Sequence, residues 1–240
     1  MRLLLLTGGS RGIGLAVSEV FASAGFTVIE FSRTAPHSYS VAVDFASPLE
    51  AHRCFEDSWA RIDVRQLEDL FVISNAATLE PIGPACGKSP ASILENLNVN
   101  IVAPILFMSA VISKFQDAPC RKVLANMSAG ATQRGVFGWS LYCAAKVAAE
   151  NFIRSIAIEQ QAQSHPFVAV NVDPGVVDTD MHSLAAAAPL NEFPAASEFA
   201  ARKARGQLTP PQQSASAVAK ILLSARLVAG KTYDARDVQA

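Results

Sequence analysis

Tyr142 and Lys146 stand four residues apart in a stretch of helical periodicity, so their side chains share one helix face. A phenol ordinarily titrates at about 10, too high for ready proton exchange at neutral pH, and an ammonium a few ångströms away lowers that value by favouring the phenolate. The pair therefore suits exchange of a proton with a substrate oxygen. Far upstream runs Thr7-Gly8-Gly9-Ser10-Arg11-Gly12-Ile13-Gly14. Glycines let the main chain approach a phosphate closely, and a helix beginning near Gly12 turns free N–H groups and a positive dipole end toward the anion. Gly8, Ser10, Arg11, Gly12, Ile13 and Gly14 are thus candidates to hold a dinucleotide pyrophosphate. Neither motif decides the matter by itself: strand-to-helix turns use glycine for geometry, and Tyr-x-x-x-Lys occurs on surfaces by chance.

The second apolar run ends at Ser32-Arg33, where a site selecting an unphosphorylated ribose wants a carboxylate. Arg33, helped by Arg11, is suited to a ribose 2′-phosphate, which favours NADP(H) over NAD(H). Glu30 competes with this reading, being two residues back on the same strand face. A plainer alternative leaves both arginines merely exposed.

The elements that must position these residues follow from periodicity. Residues 2–7 read as a buried strand, and Ile13, Val17, Phe21 and Ala24 as a helix stopped by Gly25. Strands are expected at 27–31, 39–43 (ending at Asp44), 70–74, 122–127 and 167–172, with an edge strand at 231–238. Helices are expected at 49–61, at 93–115 with a bend at Pro104, at 140–161 and at 214–223. Strands separated by helices predict an α/β, Rossmann-type, doubly wound parallel sheet in a single domain. The segment 182–211 breaks the rhythm with an alanine run, prolines and Arg202, Lys203 and Arg205. It reads as a substrate lid, a solvated surface excursion being the alternative.

With 240 residues, half of them apolar, the chain can bury a substantial core. A formal charge of -1, from 20 basic and 21 acidic residues, gives no footprint for nucleic acid or an anionic membrane and points to small-molecule partners. Neither the four cysteines nor the four histidines show metal-ligand spacing. Leu3 to Leu6 meet a glycine turn too early for a secretion signal, and Val99 to Ile112 is too short to span a bilayer, so a cytoplasmic protein is expected.

Five motifs in register bring a resemblance that covers nearly the whole chain. Thr7-Gly8-x-x-x-Gly12-Ile13-Gly14, Ser74-Asn75-Ala76-Ala77, Asn98-Val99-Asn100, Tyr142-x-x-x-Lys146 and Pro174-Gly175-Val176-Val177-Asp178-Thr179 resemble the short-chain dehydrogenase/reductase family in order and spacing. Gly138-Trp139-Ser140-Leu141-Tyr142-Cys143 and Val177-Asp178-Thr179-Asp180-Met181 look like its sepiapterin reductase and benzil reductase branch, whose members reduce ketones and diketones with NADPH. The resemblance implies Tyr142 as general acid, Lys146 as its partner and a ribose ligand, and Asn100 as holder of a water in a proton relay. The last has an alternative: within a long helix Asn100 bonds only to backbone. The resemblance further implies Asp44 beside adenine, Asn75 and Ala76 along the adenosine ribose, and the Pro174, Gly175, Val177 and Thr179 loop along carboxamide and phosphates. A homodimer or homotetramer through the two long helices is also implied, and the alanine-rich face from Ala144 to Ala149 would allow close packing.

One position departs. The family's catalytic serine stands thirteen residues before the tyrosine, and Ala129 occupies that place here. Ser128 beside it faces the other way on a strand unless a bulge re-aims it. Loss of a donor to the developing oxyanion costs about 2.7–4 kcal/mol of barrier, which implies a slow carbonyl reductase for ketones, diketones or aldehydes. A non-catalytic NADP(H)-binding sensor or assembly subunit is the alternative.

Overall fold

The computed structural model describes residues 1–238. Parallel strands β1 (Arg2–Thr7), β2 (Thr27–Ser32), β3 (Ser40–Ala42), β4 (Asp69–Ser74), β5 (Arg121–Met127), β6 (Phe167–Asp173) and β7 (Thr232–Asp234) form one sheet of order β3-β2-β1-β4-β5-β6-β7. Every pairing is parallel. The order reverses between β1 and β4, and a crevice opens at such a switch point outside the carboxyl ends of the strands.

Helices cover both faces, which is why β1 is a continuous leucine run and not an alternation. Leu3 and Leu5 pack with Phe55 and Trp59 of α2 (Pro48–Trp59), Phe107 and Phe115 of α4 (Ala103–Phe115) and Ile153 of α5 (Ser140–Glu159). Leu4 and Leu6 point oppositely, toward Val17 and Phe21 of α1 (Gly12–Ser23) and Val218 and Leu222 of α8 (Pro211–Leu223). All four leucines are fully buried, each contributing about 1.5–3 kcal/mol over an exposed side chain.

Several local expectations are corrected. The helix expected over 93–115 starts at Pro90, as α3 (Pro90–Leu97) capped by the Ser89 hydroxyl, and passes through a π turn at Asn98–Val102 before α4. Pro104 is the second residue of α4, directly after that π turn. The run Pro90–Phe115 is long and apolar enough to cross a bilayer, contrary to the shorter reading, yet Phe107, Met108, Val111 and Phe115 lie in the core. The edge strand shrinks to Thr232–Asp234, because Asp234 caps a 3-10 turn over Ala235–Val238 by accepting from Arg236 N at 2.8 Å. Strand β3 likewise keeps only Ser40–Ala42 of its expected span.

The stretch after β6 holds two short helices, α6 (Asp180–Ala186) and α7 (Ala196–Ala204). They pack on each other and over the carboxyl end of the sheet beside Tyr142.

Candidate active site

The glycine loop leaves β1 and is held from below and behind. Glu30, fully buried in β2, accepts from Gly9 N at 2.8 Å and from the Ser32 hydroxyl at 3.2 Å. This resolves the competition at the end of β2: Glu30 clamps the loop and does not reach outward to a ribose. Asn75 donates from Nδ2 to the carbonyls of Gly8 at 2.9 Å and Thr7 at 3.2 Å, while the Thr7 hydroxyl accepts from Asn75 N and Ala76 N. Gly8, at φ +72°, has no room for a side chain, since a Cβ would lie 2.8 Å from Ala76 Cα. Asn75 and Ala76 thus build the cradle from behind.

Helix α1 starts at Gly12 with no side-chain cap and no acidic residue in its first turn, so its leading N–H groups keep their capacity for an anion. Thr179 closes the far wall, its Cγ2 3.3 Å from where a Gly12 Cβ would stand. Gly175 N donates to Asp173 Oδ1 at 2.9 Å, Pro174 O accepts from the Ser214 hydroxyl at 2.8 Å, and Val177 bridges to Thr209, which fixes the loop from Pro174 to Thr179. These features fit a pyrophosphate: main-chain donors, close-approach glycines and no competing carboxylate in the turn.

Arg33 is exposed at the end of β2, and Asp44 is exposed just beyond β3, accepting from Ala46 N at 3.0 Å. Arg11 departs from the expected partnership with Arg33. It pairs with Asp180 at 3.0 Å across the cleft mouth, both side chains largely in solvent.

Tyr142 and Lys146 are both buried on the inward face of α5, with the ammonium 5.6 Å from the centre of the phenol ring. Lys146 Nζ donates to Met127 O at 2.8 Å, at the carboxyl end of β5. The expected acidification of the tyrosine is not what this geometry gives. Burial, reinforced by the Asp173 carboxylate, pushes the phenol above its ordinary value. Burial likewise pulls Lys146 down to about 8, with Asp173 acting in the opposite direction. At neutral pH the phenol is held as an acid and the amine is still largely charged.

Ser128 does not stand in for the missing serine. Its N–H donates to Val172 O at 2.8 Å and its hydroxyl to Glu150 Oε1, both buried and pointing away from the cleft. No bulge re-aims it, because a buried carboxylate claims the hydroxyl. Ala129, extended at φ -160°, packs its methyl in the cluster that contains Tyr142, Trp139 and Phe193. Sequence reasoning missed Glu150. Its signal was the repeat Tyr142, Lys146, Glu150 at intervals of four, too polar for a face turned to the sheet unless the polar groups meet partners there.

Asn100 lies in the π turn, buried, and its amide bonds both main-chain groups of one residue: Thr78 N donates to Oδ1 and Nδ2 donates to Thr78 O, each at 2.9 Å. The side chain binds backbone and fixes the loop after β4.

Over Tyr142 lies an aromatic cluster. Trp139 stacks on Phe193 at 4.8 Å and 12°, meets Tyr142 edge-on at 5.5 Å, and touches Phe199 at 5.3 Å. Phe193 is fully buried, and Trp139 Nε1 has no hydrogen-bond partner among the described residues. Lys88 ties this covering segment down through Glu192 at 2.8 Å.

Known proteins resemble this chain in sequence and in fold. The family model described as short chain dehydrogenase matches residues 2–189. The chain is 27% identical over 242 residues to benzil reductase ((S)-benzoin forming) of Bacillus subtilis (strain 168), covering 99% of each chain. It is 24% identical over 207 residues to sepiapterin reductase of Xenopus tropicalis, covering 76% of this chain and 77% of the relative. The crystal structure of the KRED1-Pglu enzyme superposes with a TM-score of 0.82 at 23% identity, over 97% of this chain and 100% of that one. A glycine cradle at the switch point, a buried tyrosine and lysine on α5 and a family match over most of the length place this chain in the short-chain dehydrogenase family, in its benzil and sepiapterin reductase branch.

Proposed function

We propose that this oxidoreductase is an NADPH-dependent carbonyl reductase whose general acid is Tyr142. The observation that carries the reading is the buried Tyr142 and Lys146 pair at the carboxyl end of β5, beside a cradle whose walls leave main-chain donors for a pyrophosphate. Gly8, Ser10, Arg11, Gly12, Ile13 and Gly14 would hold the diphosphate, with Asp44, Asn75 and Ala76 shaping the adenosine end and Pro174, Gly175, Val177 and Thr179 the nicotinamide end. Arg33 would meet a 2′-phosphate, a reading supported by its exposure and by the engagement of Glu30 with Gly9 N. When bound, NADPH supplies the hydride.

Tyr142 gives its proton to the substrate oxygen, a role that suits a phenol kept protonated by burial. Lys146, charged below about pH 8, stabilises the phenolate left behind and bonds the ribose. Asn100 contributes by holding Thr78 and the π turn beside α5. With a methyl at Ala129 the developing oxyanion loses one donor and depends on Tyr142, so turnover is slow. The segment 182–211 acts as a lid, and Trp139, Phe193 and Phe199 select a bulky or aromatic carbonyl compound, the class to which benzil belongs.

Val102 and Val147, exposed on the π turn and on α5, favour self-association of the two helices as a homodimer or homotetramer. The functional test is oxidation of NADPH by the purified protein against diketones, quinones, aldehydes and pterins. Turnover with at least one bulky ketone or diketone supports the reading. Tight NADPH binding with no turnover against any of them replaces it with the non-catalytic sensor or assembly subunit that Ala129 would suit.

A further inference from the structure

Below the tyrosine and lysine the inward face of α5 continues with Glu150, and Arg154 follows one turn further on at the exposed side. Glu150 is 3% exposed. One of its oxygens accepts from the Ser128 hydroxyl and the other from Arg154 Nη2 at 2.7 Å, while its main-chain carbonyl accepts from Asn171 Nδ2 at 3.3 Å. Asn171 in turn accepts from Asn126 Nδ2 at 2.9 Å, so Glu150 ties helix α5 both to Ser128 just beyond β5 and to Asn171 of β6, which is itself joined to β5.

The peptide unit joining Met127 to Ser128 is where this network meets the amine. A trans peptide is planar, with C=O and N–H pointing in opposite directions. Here the N–H of Ser128 goes to Val172 O at 2.8 Å, and the C=O of Met127 accepts from Lys146 Nζ at 2.8 Å. The orientation of that single plane therefore sets where the ammonium sits. Glu150 holds the plane through the Ser128 side chain, and a serine whose hydroxyl lost its buried acceptor would turn to find another.

We propose that Glu150 is a positioning residue, acting through Ser128 and the Met127 carbonyl to hold the Lys146 ammonium beside the phenol and the cofactor ribose. The proposal rests on the role given to Lys146 above, and it also explains why Ser128 has no freedom to replace the serine absent at Ala129.

The test is NADPH affinity by fluorescence titration between pH 6 and 10, with Lys146→Met as reference for loss of the ammonium. Glu150→Ala is expected to weaken NADPH at least fivefold at pH 7 and to flatten the pH dependence toward that of Lys146→Met. Ser128→Ala should do the same, and the double variant should be no worse than either single one. Glu150→Gln, whose amide oxygen still accepts from Ser128, should stay within about threefold of wild type. A Glu150→Ala protein that melts earlier yet keeps the wild-type pH profile would reduce Glu150 to a packing role and overturn the proposal. If that variant does not fold, a wild-type profile in Ser128→Ala overturns it equally. Because binding is the readout, a protein that binds NADPH but reduces no carbonyl compound sinks the reductase reading and leaves this measurement decisive.

Discussion

Lys146 is a buried amine with no carboxylate bonded to it, and that fixes the sign of its effect on stability. Its value in the folded chain is about 8 against about 10.5 for a free lysine. Below pH 8 both states carry the proton and the folded one bears the full cost of the buried charge. As pH rises from 8 to 10.5 the folded state binds fewer protons, so stability increases, by on the order of 3 kcal/mol for a shift of this size. Tyr142 works the other way: its raised value makes the folded state hold a proton that the unfolded chain releases, so stability declines above about pH 10. Urea unfolding of the ligand-free protein is expected to show the rise, and Lys146→Met to abolish it. At the next position of interest, Ala129→Ser returns a hydroxyl to the cluster that packs on Tyr142. Turnover is expected to increase at least tenfold, measured as NADPH oxidation with a diketone, and an unchanged rate would show that the methyl is not what limits the enzyme. The glycine turn before α1 and the shared helix face of Tyr142 and Lys146 were legible in spacing, because both are local patterns. The direction of the tyrosine shift was not, since it depends on burial in a cluster completed by Phe193 and on the Asp173 carboxylate, both brought to it by distant parts of the chain.

At the scale of elements, the cradle works because a strand, a turn and a helix start are locked by side chains from two neighbouring strands. Glu30 holds Gly9 N, and Thr7 and Asn75 join the loop to the end of β4. Glu30→Ala leaves the Gly9 N–H without its acceptor at a cost of about 1–3 kcal/mol, and loosens the turn that α1 grows from. NADPH affinity by fluorescence is expected to fall roughly tenfold, corresponding to about 1.4 kcal/mol, with Glu30→Gln largely retaining it. The opposite outcome, tighter binding in Glu30→Ala, would mean the carboxylate opposes the cofactor and would reverse the reading of Arg33. Sequence periodicity located β1, α1, β4, β5, α5 and β6 well, since each carries an apolar pattern matched to the two-sided sheet. It missed the π turn at Asn98–Val102, because an extra residue in a helical turn leaves the composition unchanged and shows only where Asn100 meets Thr78. It overextended β7, where a carboxylate cap at Asp234 turns the chain out of the sheet.

Across the whole molecule, sheet order sets the glycine loop and Tyr142 on the same edge: β1 and β4 meet at the switch point, and β5 and β6 carry Met127 and Asp173 to the base of the tyrosine and lysine pair. The segment bearing Phe193 covers that edge and is fastened by Lys88 to Glu192. Lys88→Met, removing a half-buried ion pair of about 1 kcal/mol, is expected to speed amide hydrogen exchange across Asp180–Ala204 about fivefold while leaving NADPH affinity within twofold. Exchange unchanged in that region would mean the cover is held by its aromatic packing. The most direct examination of the enzyme as a whole is Tyr142→Phe, measured by NADPH titration and by reduction of an aryl diketone in the same preparation. Retained cofactor affinity, within about threefold, with turnover down by roughly 10²–10⁴ is the expected pair of results. A phenylalanine variant that reduces the diketone at the wild-type rate would contradict the assignment of Tyr142 as the acid.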